Sequence, residues 1–202
     1  YSLEDHTFPF VTETDYARAL AIMQATINAL AKEGSPYKGI LYGQFMNTKT
    51  GPKVIEFNAR FGDPEAKNVL TILNSDLFTI AEHIISGTLS AEDVSFEKKA
   101  TVCKYLVPTG YPDKPHAGDV ITPGPAENTI LYYANVELEN GVLKTLTSRT
   151  MAYVGVGAGL AEAEKYAEAA CRNVTGNVRY RSDIGTETLF AKRIAHMKEL
   201  RS

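Results

Sequence analysis

The chain has 202 residues, of which 44% are hydrophobic and 22% charged, and its formal net charge is −3 at pH 7. This length fits one large or two small domains, and the composition is that of an ordinary globular protein. The slightly acidic charge without a basic run argues against a nucleic-acid partner, and no apolar stretch approaches the roughly 20 residues that span a bilayer. We therefore expect a cytoplasmic protein with neither a nucleic-acid nor a membrane partner.

The chain begins at Tyr1 on a polar and aromatic segment, without an initiator methionine, which is typical of a loop inside a longer protein. We therefore expect a fragment. Residues 12–32 follow with apolar side chains at helical spacing, and this pattern predicts an amphipathic helix. Thr12 or Thr14 is expected to cap its start and Gly34 to end it.

Two antiparallel strands are predicted next, at residues 39–46 and 53–60, with a turn between them. Because side chains alternate along a strand, the second strand is expected to bury one face and expose the other. The expected buried face holds four apolar side chains, which are Ile55, Phe57, Ala59 and Phe61. The expected exposed face holds Val54, Glu56, Asn58 and Arg60.

This exposed face would present a carboxylate, an amide oxygen and a guanidinium in a row, from Glu56, Asn58 and Arg60. Glutamate and asparagine provide hard oxygen ligands, which Mg²⁺ accepts together with substrate phosphates. Arginine is suited to bidentate binding of a phosphate or a carboxylate. The residues alone leave open a second interpretation, in which this is a solvated strand face with incidental charges.

A helix is predicted to start at residues 63–65, with Asp63 as its cap, Pro64 at the first helical position and Glu65 suited to the positive end of the dipole. A second helix is expected beyond Asp76, with Gly87 as its end.

The polar stretch 88–99 is the predicted boundary between two domains, 1–98 and 99–202. The second domain is expected to contain strands followed by helices. The predicted strands are 100–107, 129–137, 141–147 and 150–156, and the predicted helices cover 160–174 and 189–200. The glycines from 155 to 159 lack the spacing of a nucleotide-binding loop, so we expect a tight turn there. Cys103 and Cys171 are expected to be buried thiols.

Residues 56–65 read EFNARFGDPE and closely resemble the signature of the phosphoribosylamine–glycine ligase family, whose members are ATP-grasp enzymes of purine synthesis. Its Glu-x-Asn part is common among ATP-grasp enzymes, whereas Arg-Phe-Gly-Asp-Pro-Glu is much more specific to the ligase. Other similarities to the family follow in order at residues 37–42, 75–77, 110–118 and 181–185. The resemblance implies an α+β fold, in which the C-terminal lobe of an ATP-grasp module, an antiparallel sheet with helices, precedes a small α/β C-terminal domain.

The resemblance also implies a nucleotide and metal site. Glu56 and Asn58 match the positions where the family binds Mg²⁺, or Mn²⁺ in its place, between the ATP phosphates. Gln44 matches a position where many ATP-grasp enzymes have a further metal-binding acid. Arg60 is similar to the arginine that contacts phosphate, which implies both a cofactor-binding and a catalytic role.

A substrate-binding loop is implied next to that site. Gly62, Asp63, Pro64 and Glu65 match the loop that faces the reacting groups, and Asp63 is implied to be catalytic. Lys67 departs from the glutamine expected just after this loop, which puts substrate contacts there in question.

The activity implied by the resemblance is the ATP-dependent ligation of glycine to 5-phosphoribosylamine through glycyl phosphate, giving glycinamide ribonucleotide. The chain would cover about the second half of such an enzyme, be inactive alone, and need the missing N-terminal half. Arg149 and Arg181 are candidates for binding the ribose phosphate and are equally suited to surface salt bridges. Two alternatives are another ATP-grasp ligase or carboxylase, and a non-catalytic module that binds a nucleotide or a partner protein.

Overall fold

The computed structural model describes residues 1–202, and the chain divides into two compact units. Both units mix helices with antiparallel strands, as the sequence predicted. We call them the ribbon unit (Thr7–Ala66, Leu73–Glu97 and Ala191–Ser202) and the sheet unit (Tyr1–His6, Lys67–Ile72 and Lys98–Phe190). The domain boundary between residues 98 and 99 stays a prediction. No helix combines the length and the apolar character required to cross a membrane.

The first helix of the ribbon unit, α1 (Glu13–Lys32), begins with the predicted cap at Thr12. The Thr12 hydroxyl accepts a hydrogen bond from the backbone N–H of Asp15, and the Asp15 carboxylate accepts one from the Thr12 N–H, at 3.1 and 2.9 Å. This reciprocal pair satisfies two donors that a helix start otherwise leaves open. The buried Asp15 also pairs with Arg201 at 2.6 Å.

Strands β1 (Tyr42–Thr48) and β2 (Gly51–Asn58) form a two-stranded antiparallel ribbon. Its register places Gln44 opposite Glu56 and Tyr42 opposite Asn58. The predicted strand pair is confirmed, although β2 ends at Asn58, so the alternation of a strand does not extend to Arg60.

A bulge in the ribbon changes the faces that were predicted for β2. After Gln44 the register shifts, so Phe45 lies opposite Val54 and Ile55 is an extra residue. The prediction that Val54 shares a face with Glu56 is therefore wrong. The predicted burial of the apolar residues is also wrong, because Ile55 is 54% and Phe57 39% exposed. A ribbon of only two strands cannot enclose its own side chains.

Helix α2 (Glu65–Thr71) begins one residue later than predicted. Asp63 and Pro64 lie in the turn before it, joined by a cis peptide bond, so Pro64 is not the first helical residue. The carbonyl of Gly62 accepts the N–H of Ala66 at 2.9 Å, and this bond starts the helical turn.

The third helix, α3 (Leu77–Ser86), has the expected ends. The Asp76 side chain accepts the N–H of Phe78 at 3.1 Å, and Gly87 ends the helix in the left-handed region at φ 76°. A short 3₁₀ turn follows at Ala91–Asp93.

The sheet unit contains two four-stranded antiparallel sheets and helix α4 (Leu160–Arg172), and the last helix of the chain is α5 (Glu187–Arg201). In chain order the strands are β3 (Ala100–Pro108), β4 (Val120–Thr122), β5 (Thr129–Tyr133), β6 (Val136–Glu139), β7 (Val142–Thr145), β8 (Met151–Gly157), β9 (Thr175–Gly176) and β10 (Val178–Tyr180). The central sheet has the order β10-β3-β8-β5, and the smaller sheet the order β6-β7-β4-β9.

One predicted strand, 129–137, is in fact two strands that belong to different sheets. The chain leaves the first ladder at Ala134 and Asn135, whose N–H groups bond to the carbonyls of Thr150 and Arg149, both at 2.9 Å. The strands β4, β9 and β10 were not predicted, because two or three residues are too few to show an alternating pattern.

The glycine-rich segment between β8 and α4 packs the helix tightly against the sheet. A Cβ atom at Gly155 would lie 2.1 Å from the carbonyl oxygen of Ala163, so only glycine fits there. The N–H of Ala158 donates a hydrogen bond to the carboxylate of Glu162 at 2.7 Å. The predicted tight turn is therefore confirmed.

Helix α4 also buries an ionic cluster against the central sheet. Lys104 of β3 is 1% exposed, and its ammonium donates to Glu164, to Glu168 and to the carbonyl of Ser182, at 2.6, 2.7 and 2.8 Å. These three bonds use every donor of the ammonium group. Beside it, Cys171 is a buried free thiol, as predicted, and burial raises its pKa to about 12.

Candidate functional site

Glu56 and Asn58, the two predicted metal ligands of β2, lie side by side. They are two residues apart in a strand and so share a face, and the Asn58 amide Nδ2 donates to Glu56 Oε1 at 2.8 Å. Gln44 lies directly opposite Glu56, where side chains of neighbouring strands stand roughly 5 Å apart at Cβ. The ribbon therefore brings the three side chains of the predicted metal site together.

This set of donors fits a cation that also binds phosphate. Asn58 keeps its amide oxygen and Glu56 keeps Oε2, while Gln44 adds an amide oxygen without charge. The chain has no group of three or more His, Cys, Asp or Glu side chains that could hold a metal. A cation here would take most of its ligands from phosphate and water, which is how Mg²⁺ commonly binds in proteins.

Tyr42 belongs to the same cluster, although no motif in the sequence singles it out. It lies opposite Asn58, and its pKa is raised to about 12 by burial and then by the nearby carboxylates of Glu65 and Glu56, while Arg60 acts in the opposite direction. Tyr42 therefore lies opposite Asn58 and close enough to Glu65, Glu56 and Arg60 for their charges to act on it. The sequence did contain the signal, because a register that pairs Gln44 with Glu56 also pairs Tyr42 with Asn58.

The loop after β2 carries the remaining predicted residues. Arg60 is exposed, and its guanidinium donates to the carbonyl of Phe61 at 2.7 Å. A Cβ atom at Gly62 would lie 2.8 Å from Glu65 Oε2 and 3.0 Å from the ring of Tyr42. The absence of a side chain at Gly62 thus allows Glu65 to approach Tyr42.

Asp63 and Pro64 occupy the turn between Gly62 and α2, with Asp63 exposed and Pro64 half-buried. The catalytic role implied for Asp63 and the substrate-binding roles implied for both residues stay predictions.

The two arginines suggested for the ribose phosphate have different surroundings in the sheet unit. Arg181 is engaged by Asp183 through two bonds, at 2.6 and 3.0 Å, so the salt-bridge alternative describes it. Arg149 lies over the ring of Tyr105, and Lys67 lies over the same ring. No local pattern in the sequence connects Arg149 with Lys67.

Comparison with known protein families gives two matches in the same order as the sequence similarities. The model of the phosphoribosylglycinamide synthetase ATP-grasp (A) domain matches residues 4–66. The model of the phosphoribosylglycinamide synthetase C domain matches residues 101–187. The first match contains the whole of the cluster around Tyr42.

Several similar proteins carry the name phosphoribosylamine–glycine ligase. The phosphoribosylamine–glycine ligase of Methanocorpusculum labreanum is 87% identical over 202 residues, which are 100% of this chain and 47% of that protein. The ligase of Methanoregula boonei is 61% identical over 99% of this chain and 47% of its own length. A crystal structure of the Thermotoga maritima ligase matches with a TM-score of 0.74 at 29% identity, over 85% of this chain and 44% of that one.

The chain thus spans about half the length of the relatives it matches. Its two family matches, the agreement with a solved ligase structure and the signature at residues 56–65 all point to one family. The chain belongs to the phosphoribosylamine–glycine ligase family and corresponds to its C-terminal portion.

Proposed function

We propose that this chain forms part of a ligase that joins glycine to 5-phosphoribosylamine at the expense of ATP, giving glycinamide ribonucleotide. The observation that carries the proposal is the convergence of Glu56, Asn58 and Gln44 on one ribbon face, in a chain of this family. Because the chain spans about half of its relatives, the rest of the catalytic machinery would come from the remaining portion of such a ligase.

The reaction needs two displacements. In the first, the carboxylate of glycine attacks the γ-phosphate of ATP and releases ADP, forming glycyl phosphate. In the second, the amine of 5-phosphoribosylamine attacks the glycyl carbonyl, loses a proton and displaces inorganic phosphate. The product is an amide.

The residues of the ribbon face suit the first displacement. Phosphoryl transfer depends mainly on positioning and on neutralising charge, since the attacking group is itself an anion. Glu56, Asn58 and Gln44 would hold Mg²⁺, or Mn²⁺, which when bound neutralises the β- and γ-phosphates. Arg60 is exposed after the strand and would hold the transferred phosphoryl group through its planar donors.

The loop residues would bind the substrates beside this face. Glu65 and Gly62 lie against Tyr42, which in turn faces Asn58, so this loop is attached to the proposed metal site. Asp63 and Pro64 complete the loop, and we propose that Asp63 contacts the reacting groups. We also propose that the protein is located in the cytoplasm and that a domain boundary lies between residues 98 and 99.

A hybrid ligase tests the proposal. Its sequence is that of the Methanocorpusculum labreanum ligase with the matching segment replaced by these 202 residues. We expect ADP to form only when glycine is present, and glycinamide ribonucleotide to appear by mass spectrometry only when 5-phosphoribosylamine is added as well. The unaltered ligase serves as the control. An active control beside a hybrid that forms no product, or that makes ADP independently of glycine, would contradict the proposal.

A further inference from the structure

Four side chains of the ribbon project from one face. Tyr42 and Gln44 are two residues apart in β1, and Asn58 and Glu56 lie directly opposite them in β2. The register shifts only after Gln44, so both of these pairs are intact. Three of the four side chains are the oxygen donors of the proposed metal site. Tyr42, which is half-buried, is the member of this face that the metal site does not use.

Tyr42 meets the loop after β2 at Gly62, which is itself buried. A Cβ atom at Gly62 would lie 3.0 Å from Cδ2 and from Cε2 of the Tyr42 ring, and 2.8 Å from Oε2 of Glu65. The ring and the carboxylate therefore both lie against the same backbone position. Only a residue without a side chain leaves room for the two groups to approach each other there.

The hydroxyl of Tyr42 interacts with the carboxylate of Glu65. The pKa of Tyr42 is raised to about 12, first by burial and then by the charge of Glu65 and the hydrogen bond that the hydroxyl donates to it. A hydrogen bond to an ionised acceptor is among the stronger ones in proteins. Glu65 is exposed and is the first residue of α2, so its side chain has little packing of its own. Tyr42 is thus a group that can fix its orientation.

The orientation of Glu65 matters because of where glycine has to bind. In the proposed reaction the carboxylate of glycine attacks the γ-phosphate of ATP, whose charge is neutralised at the ribbon face. Glycine must therefore lie beside this face, and the loop from Gly62 to Glu65 borders it. A displacement of about 1 Å in groups that position a substrate can cost roughly 10²-fold in rate.

We propose that Tyr42 is a positioning residue for glycine binding, because its hydroxyl holds Glu65, and with it the loop, beside the ribbon face. The role of the loop rests on the proposed function, whereas the contact between Tyr42 and Glu65 does not. Tyr42 itself touches no substrate and acts through Glu65. Its effect on glycine binding should therefore disappear once the carboxylate of Glu65 is removed.

A double-mutant cycle in the hybrid ligase tests this coupling, with Tyr42→Phe, Glu65→Ala and the two changes together. Tyr42→Phe keeps the ring against Gly62 and removes only the hydroxyl. It should raise the KM for glycine about tenfold, as expected when a hydrogen bond to a charged group is lost. The KM values for ATP and 5-phosphoribosylamine should stay within about twofold. When Glu65→Ala is already present, Tyr42→Phe should change the KM for glycine less than about twofold.

The control variant is Tyr16→Phe, which removes the same hydroxyl from an exposed position on α1 and should change none of the three KM values. A second measurement, hydrogen exchange of the substrate-free hybrid followed by mass spectrometry, does not depend on turnover. Residues 62–66 should exchange about threefold faster in Tyr42→Phe, because the bond from the Ala66 N–H to the Gly62 carbonyl spans the loop that Tyr42 holds. Tyr16→Phe should exchange there at the rate of the parent.

An unchanged KM for glycine in Tyr42→Phe, or an effect of equal size with and without Glu65, would overturn the inference. Exchange of residues 62–66 at the parent rate in Tyr42→Phe would do the same. A hybrid ligase that forms no glycinamide ribonucleotide would instead refute the proposed function. The exchange measurement still tests the contact of Tyr42 with Glu65 in that case.

Discussion

Gln44 lies directly opposite Glu56 across the two strands of the ribbon, on the face that Asn58 also occupies. This arrangement gives the proposed cation one negative charge and two neutral amide oxygens from the protein. Because so little protein charge is available, the affinity for the cation should depend strongly on Glu56.

The change Glu56→Gln in the hybrid ligase should lower kcat at least ~10²-fold, comparable to the loss of one strong electrostatic stabiliser. Steady-state assays over a range of Mg²⁺ concentrations measure it. The matched control is Glu82→Gln, an exposed carboxylate on α3, which should leave kcat within twofold. A rate near that of the unsubstituted hybrid at saturating Mg²⁺ would argue against a metal-binding role for Glu56.

The change Gly62→Ala should disturb the loop without unfolding the protein. The new Cβ atom would meet Glu65 Oε2 at 2.8 Å and the Tyr42 ring at 3.0 Å, and the flexible Glu65 side chain is the group that can move. We expect roughly a tenfold lower kcat in the hybrid ligase, in the range of losing one oriented polar contact. The control is Gly159→Ala, where no atom lies within 4 Å and the backbone is extended.

Equal activity of Gly62→Ala and Gly159→Ala would mean that the approach of Glu65 to Tyr42 has no part in the reaction. The melting temperatures of both variants should match that of the unsubstituted hybrid, which separates an effect on the loop from an effect on folding.

The change Lys104→Met should destabilise the protein by roughly 3–5 kcal/mol, because it leaves the half-buried Glu164 without its cation and Glu168 with only the exposed Arg172. Urea unfolding of the hybrid ligase, followed by circular dichroism, measures this. The triple variant that also carries Glu164→Gln and Glu168→Gln should recover much of the loss. A triple variant as unstable as Lys104→Met alone would show that packing, not charge, is responsible.

The same cluster should respond to acid in a defined direction. Burial acts to raise the pKa of Glu168, but hydrogen bonds from Lys104 and Arg172 outweigh it, and the net pKa is lowered below the ordinary 4.5. A lowered pKa contributes stability above pH 4.5 that is lost as the pH falls through the value in the folded protein. The free-energy difference between the Lys104→Met variant and its parent should therefore shrink as the pH falls from 4.5 through the lowered pKa of Glu168.

Cys171 should resist thiol reagents until the sheet unit opens. Its pKa is raised to about 12, first of all by burial, so almost no thiolate is present at pH 8. Alkylation followed by peptide mass spectrometry should find Cys171 unmodified in native protein and fully modified in urea. Rapid alkylation in native buffer would mean that α4 separates from the sheet at low cost.

Local patterns in the sequence determined the elements that depend on neighbouring residues. The cap at Thr12, the end of α3 at Gly87 and the turn before α4 all follow from interactions within a few residues. The pairing of Glu56 with Asn58 is also local, because a period of two puts both on one face of a strand. The resemblance of residues 56–65 then identified the family.

The bulge and the exposure of the ribbon could not be predicted in this way. Ile55 alternates correctly in sequence, yet the extra residue changes which side chains face Phe45, and this depends on the partner strand. Likewise, whether Phe57 is buried depends on which other elements pack against the ribbon. The sequence of the strand alone does not show this.

The sequence by itself thus determined the type of chemistry on β2 and the family of the chain. Only the tertiary structure decided that Glu65 approaches Tyr42 through the space left at Gly62, and that Lys67 meets Arg149 over one ring. The physical reason is separation along the chain, because Lys67 and Arg149 are 82 positions apart. The antiparallel pairing of three strands and the bond between Tyr132 and Thr71 bring them together. Such long-range contacts arise from packing of whole elements and leave no periodic pattern in the sequence.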